Sequence, residues 1–204
     1  MAVVCIGWVA APGMAAPTTA PSEVKRAFAL FLAAEKDEDV ARLGQMIGAT
    51  SRQEDLLRPH LADLIVAAAH FDRAMQEKFK REAAGKYAVA PTEADAAWQA
   101  ADETVQGDAA TLTATIGGQK VNVAMAKRDG VWRVTYGGAV TFAGVRKVDG
   151  SVPSDESMRR YTEMAQALRS TAAGVRAGEF PTAAAAAEAA QQRVIDAQSG
   201  RGAQ

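Results

Sequence analysis

An α+β fold is predicted for this chain of 204 residues, with helices packed on one face of a curved antiparallel sheet of about four strands. Residues 108–136 contain three runs of alternating apolar and polar side chains, separated by two two-residue turns. Amphipathic helical patterns precede this stretch, and two further helical patterns follow it. Segregation of helices and strands along a chain is typical of an antiparallel sheet that is covered by helices.

The two turns fix the register of the predicted sheet. They are Gly117-Gly118 and Asp129-Gly130, which supply the positive φ angles that tight hairpins require. A slip of one residue would move every apolar side chain to the other face, so turn chemistry and pattern agree on one register. A fourth, bulged strand is expected at residues 140–145. The inward-facing pairs are Leu112 with Val123, Met125 with Val134, and Val123 with Tyr136.

Helical patterns flank the sheet. Ser22 is a plausible N-cap for the first helix, and Ser51 with Glu54 forms a capping box. Pro59 should kink or restart the helical pattern, so the longest helix is expected at residues 59–84. After the sheet, helices are expected to follow Ser154 and Pro181. We therefore predict an ordered cone-like domain at residues 22–150, a packed helical pair at 151–198 and a disordered tail at 199–204.

The N-terminal residues have the pattern of a secretory signal peptide. Residues 2–11 form an apolar run, small residues such as Ala15 and Ala16 follow, and no charged side chain occurs before Glu23. This predicts a signal peptide at residues 1–16, a linker at 17–21 and a periplasmic or extracellular protein. The usual Lys or Arg before the apolar run is missing, which leaves a disordered or strand-forming N-terminus as the alternative. Cys5 lies in this run, so the exported chain would have no disulfide.

The net charge of the chain and the length of its apolar run exclude two classes of partner, nucleic acids and the interior of a membrane. The formal net charge is −1, and both signs are interspersed along the chain. Without a basic stripe to neutralise phosphates, binding to nucleic acid is not expected. The apolar run of about ten residues is too short to span a bilayer, so no transmembrane span is expected either.

The sequence contains no recognisable catalytic or metal-binding motif. His60 and His70 lie ten residues apart on one predicted helix, about 15 Å from each other, which is too far to share an ion. Nucleophile-elbow and phosphate-binding glycine motifs are missing as well. We therefore assign no catalytic residue, no metal and no cofactor.

Three residues are candidates for a binding site. Helical projection places Asp72 at the boundary of the buried stripe, where partial desolvation would raise its pKa and let it act as a base. A solvated carboxylate is the alternative for this residue. Trp132 and Tyr136 share the inward face of the sheet with Leu112 and Val123. They would either line an aromatic pocket or belong to the core.

Two stretches together resemble a known superfamily. Residues 24–43 contain VKRAFALF followed by DEDVARL, and residues 107–134 contain GDAATL, VNVAM and DGVWRV. This order of helix, acidic turn, short helix and strand meander is similar to the nuclear transport factor 2-like superfamily, especially its small secreted bacterial members of unknown function. The resemblance implies a cone, in which a curved sheet wraps against helices around a pocket. The superfamily includes isomerases, dehydratases, binding modules and accessory domains, so no catalytic residue is transferred.

These observations favour a non-enzymatic binding or interaction module of the bacterial envelope, with a small apolar ligand or a protein as partner. The alternative is a cone-fold enzyme that transfers a proton on a small apolar substrate, as isomerases and dehydratases do, with Asp72 as the base. A third possibility is a homo-oligomer formed through the C-terminal helices. An open pocket with a buried carboxylate would favour the enzyme, whereas a pocket filled by Leu112, Trp132 and Tyr136 would favour the module.

Overall fold

The computed structural model describes residues 21–80, 82–83, 91–144 and 154–199. The predicted signal peptide at residues 1–16 and most of the linker lie outside this range, as do residues 200–204 of the predicted tail. Within it, the α+β class and the two C-terminal helices are confirmed. The elements are α1 (Glu23–Lys36), α2 (Val40–Gln45), β1 (Ile47–Gly48), α3 (Arg52–Phe79), α4 (Pro91–Gln99), β2 (Asp102–Gln106), β3 (Ala109–Ile116), β4 (Gln119–Arg128), β5 (Val131–Thr135), α5 (Tyr136–Phe142), α6 (Ser154–Ala177) and α7 (Ala183–Gln198).

The described strands form one sheet in the order β1-β5-β4-β3-β2. Leu112 pairs with Val123 and Met125 pairs with Val134, as the turn chemistry predicted. Asp129 has a φ of 51° and Gly130 a φ of 75°, which fits the two-residue hairpin expected there. The sheet is nevertheless mixed rather than antiparallel, because β1 pairs with β5 in parallel.

The prediction for residues 136–145 is wrong. Tyr136 begins α5 instead of pairing with Val123, and α5 occupies residues expected in the fourth strand. The Thr135 hydroxyl accepts a hydrogen bond from the Gly138 amide at 3.0 Å and donates one to the Ala124 carbonyl at 3.1 Å. A Cβ at Gly138 would lie 2.4 Å from that carbonyl oxygen, so only glycine permits this approach of α5 to β4.

Helix α3 is longer than predicted at its start. Ser51 caps it, and its hydroxyl accepts a hydrogen bond from the Glu54 amide at 3.1 Å. The Glu54 carboxylate in turn accepts one from the Thr50 amide at 2.7 Å, which completes a capping arrangement. The helix continues through the exposed Pro59, where the sequence had predicted a restart. It ends at Phe79, before the predicted end at residue 84.

Helix packing on the inward face of the sheet forms the core. Phe28, Phe31, Trp98 and Phe142 make an aromatic cluster that joins α1, α4 and α5. The ring centroids of Phe28 and Trp98 are 4.7 Å apart, and those of Phe31 and Phe142 are 5.2 Å apart. Such edge-to-face contacts add to the energy of burying the rings. The aromatic cluster therefore fills the centre of the space between the sheet and the helices.

Helix α6 packs along α3 and brings the C-terminal helices onto the domain. The Arg169 guanidinium donates to the Asp63 carboxylate at 3.0 Å, and His60 Nδ1 lies 3.2 Å from the Thr162 hydroxyl. In the core, the Tyr136 hydroxyl donates to the Tyr161 hydroxyl at 2.9 Å, which links α5 to α6. None of the helices in the described ranges is both long enough and apolar enough to span a membrane.

Candidate acidic cleft between the helices and the sheet

An open cleft lies between α1, α3, α4, the β3–β4 hairpin and the end of α5. Its volume is about 590 Å³. We call it the acidic cleft, because three carboxylates line it, and only that of Asp95 is in an ion pair within the described ranges. The described residues that line it are Leu32, Glu35, Lys36, Ile65, Ala68, Ala69, Asp72, Arg73, Ala94, Asp95, Trp98, Ile116, Gln119, Val121, Phe142, Ala143 and Gly144.

Helical spacing places Glu35 and Asp72 in this cleft. Ile65, Ala68 and Asp72 lie three and four residues apart on α3, so they share one helical face. Leu32 and Glu35 are three residues apart on α1 and share a face for the same reason. The tip of the β3–β4 hairpin supplies the opposite wall. The described walls of the cleft therefore come largely from regular secondary structure.

Asp72 is the most perturbed carboxyl group of the cleft. Desolvation by the surrounding protein and, to a smaller extent, the negative charge of Glu35 together raise its pKa from the usual 3.8 to about 7. Its side chain still reaches water, because it lies at an open cleft rather than in a closed cavity. Asp72 therefore combines a raised pKa with a side chain that remains exposed at the mouth of the cleft.

The pKa of Glu35 is also raised. Burial is the main cause, the charge of Asp95 adds to it, and the cations of Arg73 and Lys36 oppose it. Those cations are engaged elsewhere: Lys36 forms an ion pair with Asp95, and Arg73 Nη2 lies 2.9 Å from Glu38 Oε1. In the described part of the chain, neither Glu35 nor Asp72 has a hydrogen bond or an ion pair of its own.

A second and larger cleft adjoins the first. It has a volume of about 980 Å³ and lies between α3, the end of α5, α6 and α7. Ala187, Ala190, Val194 and Ile195 give it an apolar wall on α7. The two clefts share Ala68, Asp72, Ala143 and Gly144. Asp72 therefore lies at the junction of both clefts, and the three other shared residues are all small.

The structure separates the three candidate binding residues. Asp72 lines both clefts, whereas Trp132 and Tyr136 line none of the clefts described here and are buried in the core. The Lys127 ammonium lies 5.8 Å from the centre of the Trp132 ring, and the Tyr136 hydroxyl bonds to Tyr161. Their positions match the core alternative, and the aromatic side chains at the acidic cleft are instead Trp98 and Phe142.

Sequence reasoning missed Glu35. This residue begins the charged run EKDED at residues 35–39, which is typical of a solvated turn. Its spacing from Leu32 and Phe31 on the apolar side of α1 was the one available signal. In the described ranges, no three His, Cys, Asp or Glu side chains are grouped in a way that could hold a metal ion.

The chemistry of the acidic cleft suits the binding of a small ligand and the exchange of a proton between that ligand and a carboxyl group. Its apolar walls suit the body of a small molecule, and its two unpaired carboxylates suit a cation or a hydrogen-bond donor. A carboxyl group with a pKa near 7 can also take or give a proton efficiently at neutral pH. Comparisons with protein-family models, curated proteins and solved structures give no match for this chain.

Proposed function

We propose that this protein is a binding module for a small molecule that carries an apolar body and a positively charged amine. The observation that carries this proposal is the acidic cleft, in which the Glu35 and Asp72 side chains make no ion pair within the described ranges. The two cations that also line it, Lys36 and Arg73, are paired with Asp95 and Glu38. The proposal keeps the non-enzymatic binding module expected from the sequence and adds a positive charge to its ligand.

The electrostatics of the cleft favour a cation over an anion or a neutral molecule. Two carboxylates that repel each other gain when a positive charge enters between them. The same cation stabilises the ionised form of Asp72, so binding at pH 7 would release a fraction of a proton. Affinity for the cation should accordingly increase as the pH rises from 6 to 8.

Three probes of equal shape test this proposal. We expect 2-phenylethylammonium to bind more tightly than 2-phenylethanol, and phenylacetate to bind least, as measured by titration calorimetry and by the rise in melting temperature. The variant Glu35→Gln with Asp72→Asn should lose the preference for the ammonium and keep weak binding of the alcohol. Asp37→Asn removes one carboxylate outside the cleft, so it controls for the effect of losing a single negative charge elsewhere.

The same experiment can contradict the proposal. Equal affinity for all three probes would show that the carboxylates do not select a cation. Unchanged ammonium binding in the double variant would place the site elsewhere on the molecule. Loss of binding in Asp37→Asn as well would indicate a non-specific charge effect.

A second candidate is an enzyme that transfers a proton on a small apolar substrate. The pKa of about 7 at Asp72 favours it, because a general base works best when its pKa is near the operating pH. Asp72 would remove a proton from a carbon atom next to a carbonyl group, while Trp98 and Phe142 hold the apolar body. Exchange of that proton for deuterium in small ketones, followed by NMR, tests this candidate. Exchange no faster than in buffer, or unaffected by Asp72→Asn, would contradict it.

The N-terminal pattern supports the further proposal that the protein acts outside the cytoplasm. The intact mass of the protein recovered from a bacterial host should then show the loss of about 15 residues at a small-residue junction. Full-length protein in the cytoplasm would contradict export. The cleft lies between helices and sheet, where the resemblance to the nuclear transport factor 2-like superfamily would place a pocket, and membership in that superfamily remains a proposal.

A further inference from the structure

Four arginines line a third cleft at the start of α3. This cleft shares no lining residue with the acidic cleft and has the opposite excess of charge. This arginine cleft has a volume of about 500 Å³. Arg52 and Arg58 come from α3, Arg128 from the end of β4, and Arg133 from β5. Its remaining lining residues are Gly48, Ala49, Thr50, Ser51, Asp55 and Asp129.

The sheet register explains why arginines from distant parts of the sequence meet. Residues 126 and 133 are paired between β4 and β5, so Arg128 and Arg133 lie on the same outward face of the sheet. β1 runs beside β5, and a Cβ on Gly48 would lie 3.6 Å from the Arg133 Cβ. The chain then turns into α3, which brings Arg52 and Arg58 to the same cleft.

The arginines are poorly neutralised by the protein. Arg58 Nη2 lies 2.9 Å from Asp55 Oδ1, and Arg128 reaches only the Ala49 carbonyl, at 3.4 Å. Arg52 and Arg133 have no hydrogen bond or ion pair within the described ranges. Asp129 is the other acidic group of the lining, so positive charge exceeds negative charge in a protein whose formal net charge is −1.

The immediate surroundings do not cancel this excess. Glu54 is the nearest further carboxylate on α3, and it is held by the Thr50 amide and hydroxyl, each at 2.7 Å. The first turn of a 28-residue helix adds a partial positive charge to that of the guanidinium groups. An anion in the arginine cleft would thus meet four guanidinium groups against the three carboxylates of Glu54, Asp55 and Asp129.

We infer that the arginine cleft binds a phosphate monoester or diphosphate group. Guanidinium groups match the oxygen atoms of phosphate in paired hydrogen bonds, and a doubly charged group with three or more acceptor oxygens can engage several arginines at once. A single carboxylate would satisfy one or two of them. The phosphate can belong to a soluble molecule or to a lipid headgroup, since both present the same oxygens.

Arg52 and Arg133 are the residues to change, because neither guanidinium group has a partner to lose among the described residues. Inorganic pyrophosphate should bind the full chain in low salt, and affinity should fall steeply as salt is added. The variant Arg52→Gln with Arg133→Gln should weaken this binding by about tenfold or more, since charge-assisted hydrogen bonds are lost. Its melting temperature without ligand should match the wild type, which separates loss of binding from loss of fold.

Matched variants sharpen the test. Arg26→Gln removes one positive charge from the exposed face of α1 and should bind pyrophosphate normally. Arg52→Lys with Arg133→Lys keeps the charge but not the forked geometry, so intermediate affinity is expected. Full affinity in the glutamine variant, or an equal loss in Arg26→Gln, would overturn the proposal.

Vesicles identify the source of the phosphate. Flotation with phosphatidylcholine vesicles, with and without phosphatidic acid, measures lipid binding by the wild type and the glutamine variant. Arginine-dependent binding to phosphatidic acid without pyrophosphate binding supports the proposed chemistry with a lipid as its source. Arginine-dependent binding of pyrophosphate alone supports a soluble ligand. Binding of neither probe overturns the proposal.

Discussion

The close contact between α5 and β4 gives a sharp test at two adjacent glycines. A Cβ at Gly138 would lie 2.4 Å from the Ala124 carbonyl oxygen and 3.0 Å from the Ala124 nitrogen, whereas a Cβ at Gly137 would meet nothing within 4 Å. An ordinary carbon–oxygen contact is about 3.3 Å. Gly138→Ala must therefore shift α5 or β4 by about 1 Å, while Gly137→Ala requires no movement.

The expected difference in the free energy of unfolding follows from comparing the two variants. Both replace glycine with alanine near the start of the same helix, and both gain about 0.4–1 kcal/mol because the unfolded chain loses freedom. Only Gly138→Ala carries the cost of overpacking, which is about 1–3 kcal/mol. Gly137→Ala should therefore be slightly more stable than the wild type, and Gly138→Ala should be less stable than Gly137→Ala by about 1–3 kcal/mol.

Urea and thermal unfolding of the full chain, followed by far-UV circular dichroism, measure this difference. For a protein of this size, each kcal/mol corresponds to about 2–4 °C in melting temperature. Equal stability of the two variants would refute the close approach of α5 to β4. Greater stability of Gly138→Ala than of Gly137→Ala would refute the placement of these residues on the helix.

Other substitutions test the sheet, the cap of α5 and the cleft. Leu112→Asp buries an unpaired carboxylate and should cost several kcal/mol of unfolding free energy, whereas Thr113→Asp on the outward face should cost about 1 kcal/mol or less; equal effects in urea melts would contradict the register. Thr135→Val removes the hydroxyl that caps α5 and should cost about 1 kcal/mol in the same assay; an unchanged midpoint would contradict the cap. The raised pKa of Asp72 favours its protonated form in the folded state, so its contribution to stability is present at acid pH and is lost as the pH rises through about 7. The melting temperature should therefore fall less between pH 5 and pH 8 in Asp72→Asn than in the wild type, and identical pH profiles would contradict the shift.

The hairpins were predictable because their signals are local. Gly117-Gly118 and Asp129-Gly130 favour positive φ, and the alternation of side chains on either side allows one register. The capping box at Ser51 and Glu54 was predictable for the same reason. The start of α3 was misplaced only because Pro59 was expected to break a helix that tolerates it on an exposed face.

Two elements could not be predicted because their stability comes from distant parts of the chain. Residues 136–142 contain two glycines and little helical propensity, yet α5 forms where Phe142 can pack against Phe28 and Phe31. β1 has two residues, and its parallel pairing with β5 involves no turn that a sequence could reveal. In both cases tertiary packing overrides the local preference.

Of the two carboxylates proposed to bind the ligand in the candidate site, only Asp72 could be predicted from the sequence. Asp72 could be found because the apolar stripe of α3 places it at the edge of the core. Glu35 could not, because a charged run normally lies in solvent and its position depends on how α1 meets α3. Trp132 and Tyr136 were reasonable candidates on the inward face, but both are buried and neither lines the acidic cleft. Trp132 lies beside Lys127, and the Tyr136 hydroxyl contacts Tyr161 of α6.

The titration of the Asp72 carboxyl group tests the central claim most directly. Its ¹³C resonance, assigned by its loss in Asp72→Asn, can be followed with pH in the presence and absence of 2-phenylethylammonium. The acidic cleft predicts a midpoint near 7 for the free protein and a lower midpoint when the ammonium is bound. A midpoint near the usual 3.8, unaffected by the ammonium, would contradict both the desolvation of Asp72 and its role in binding.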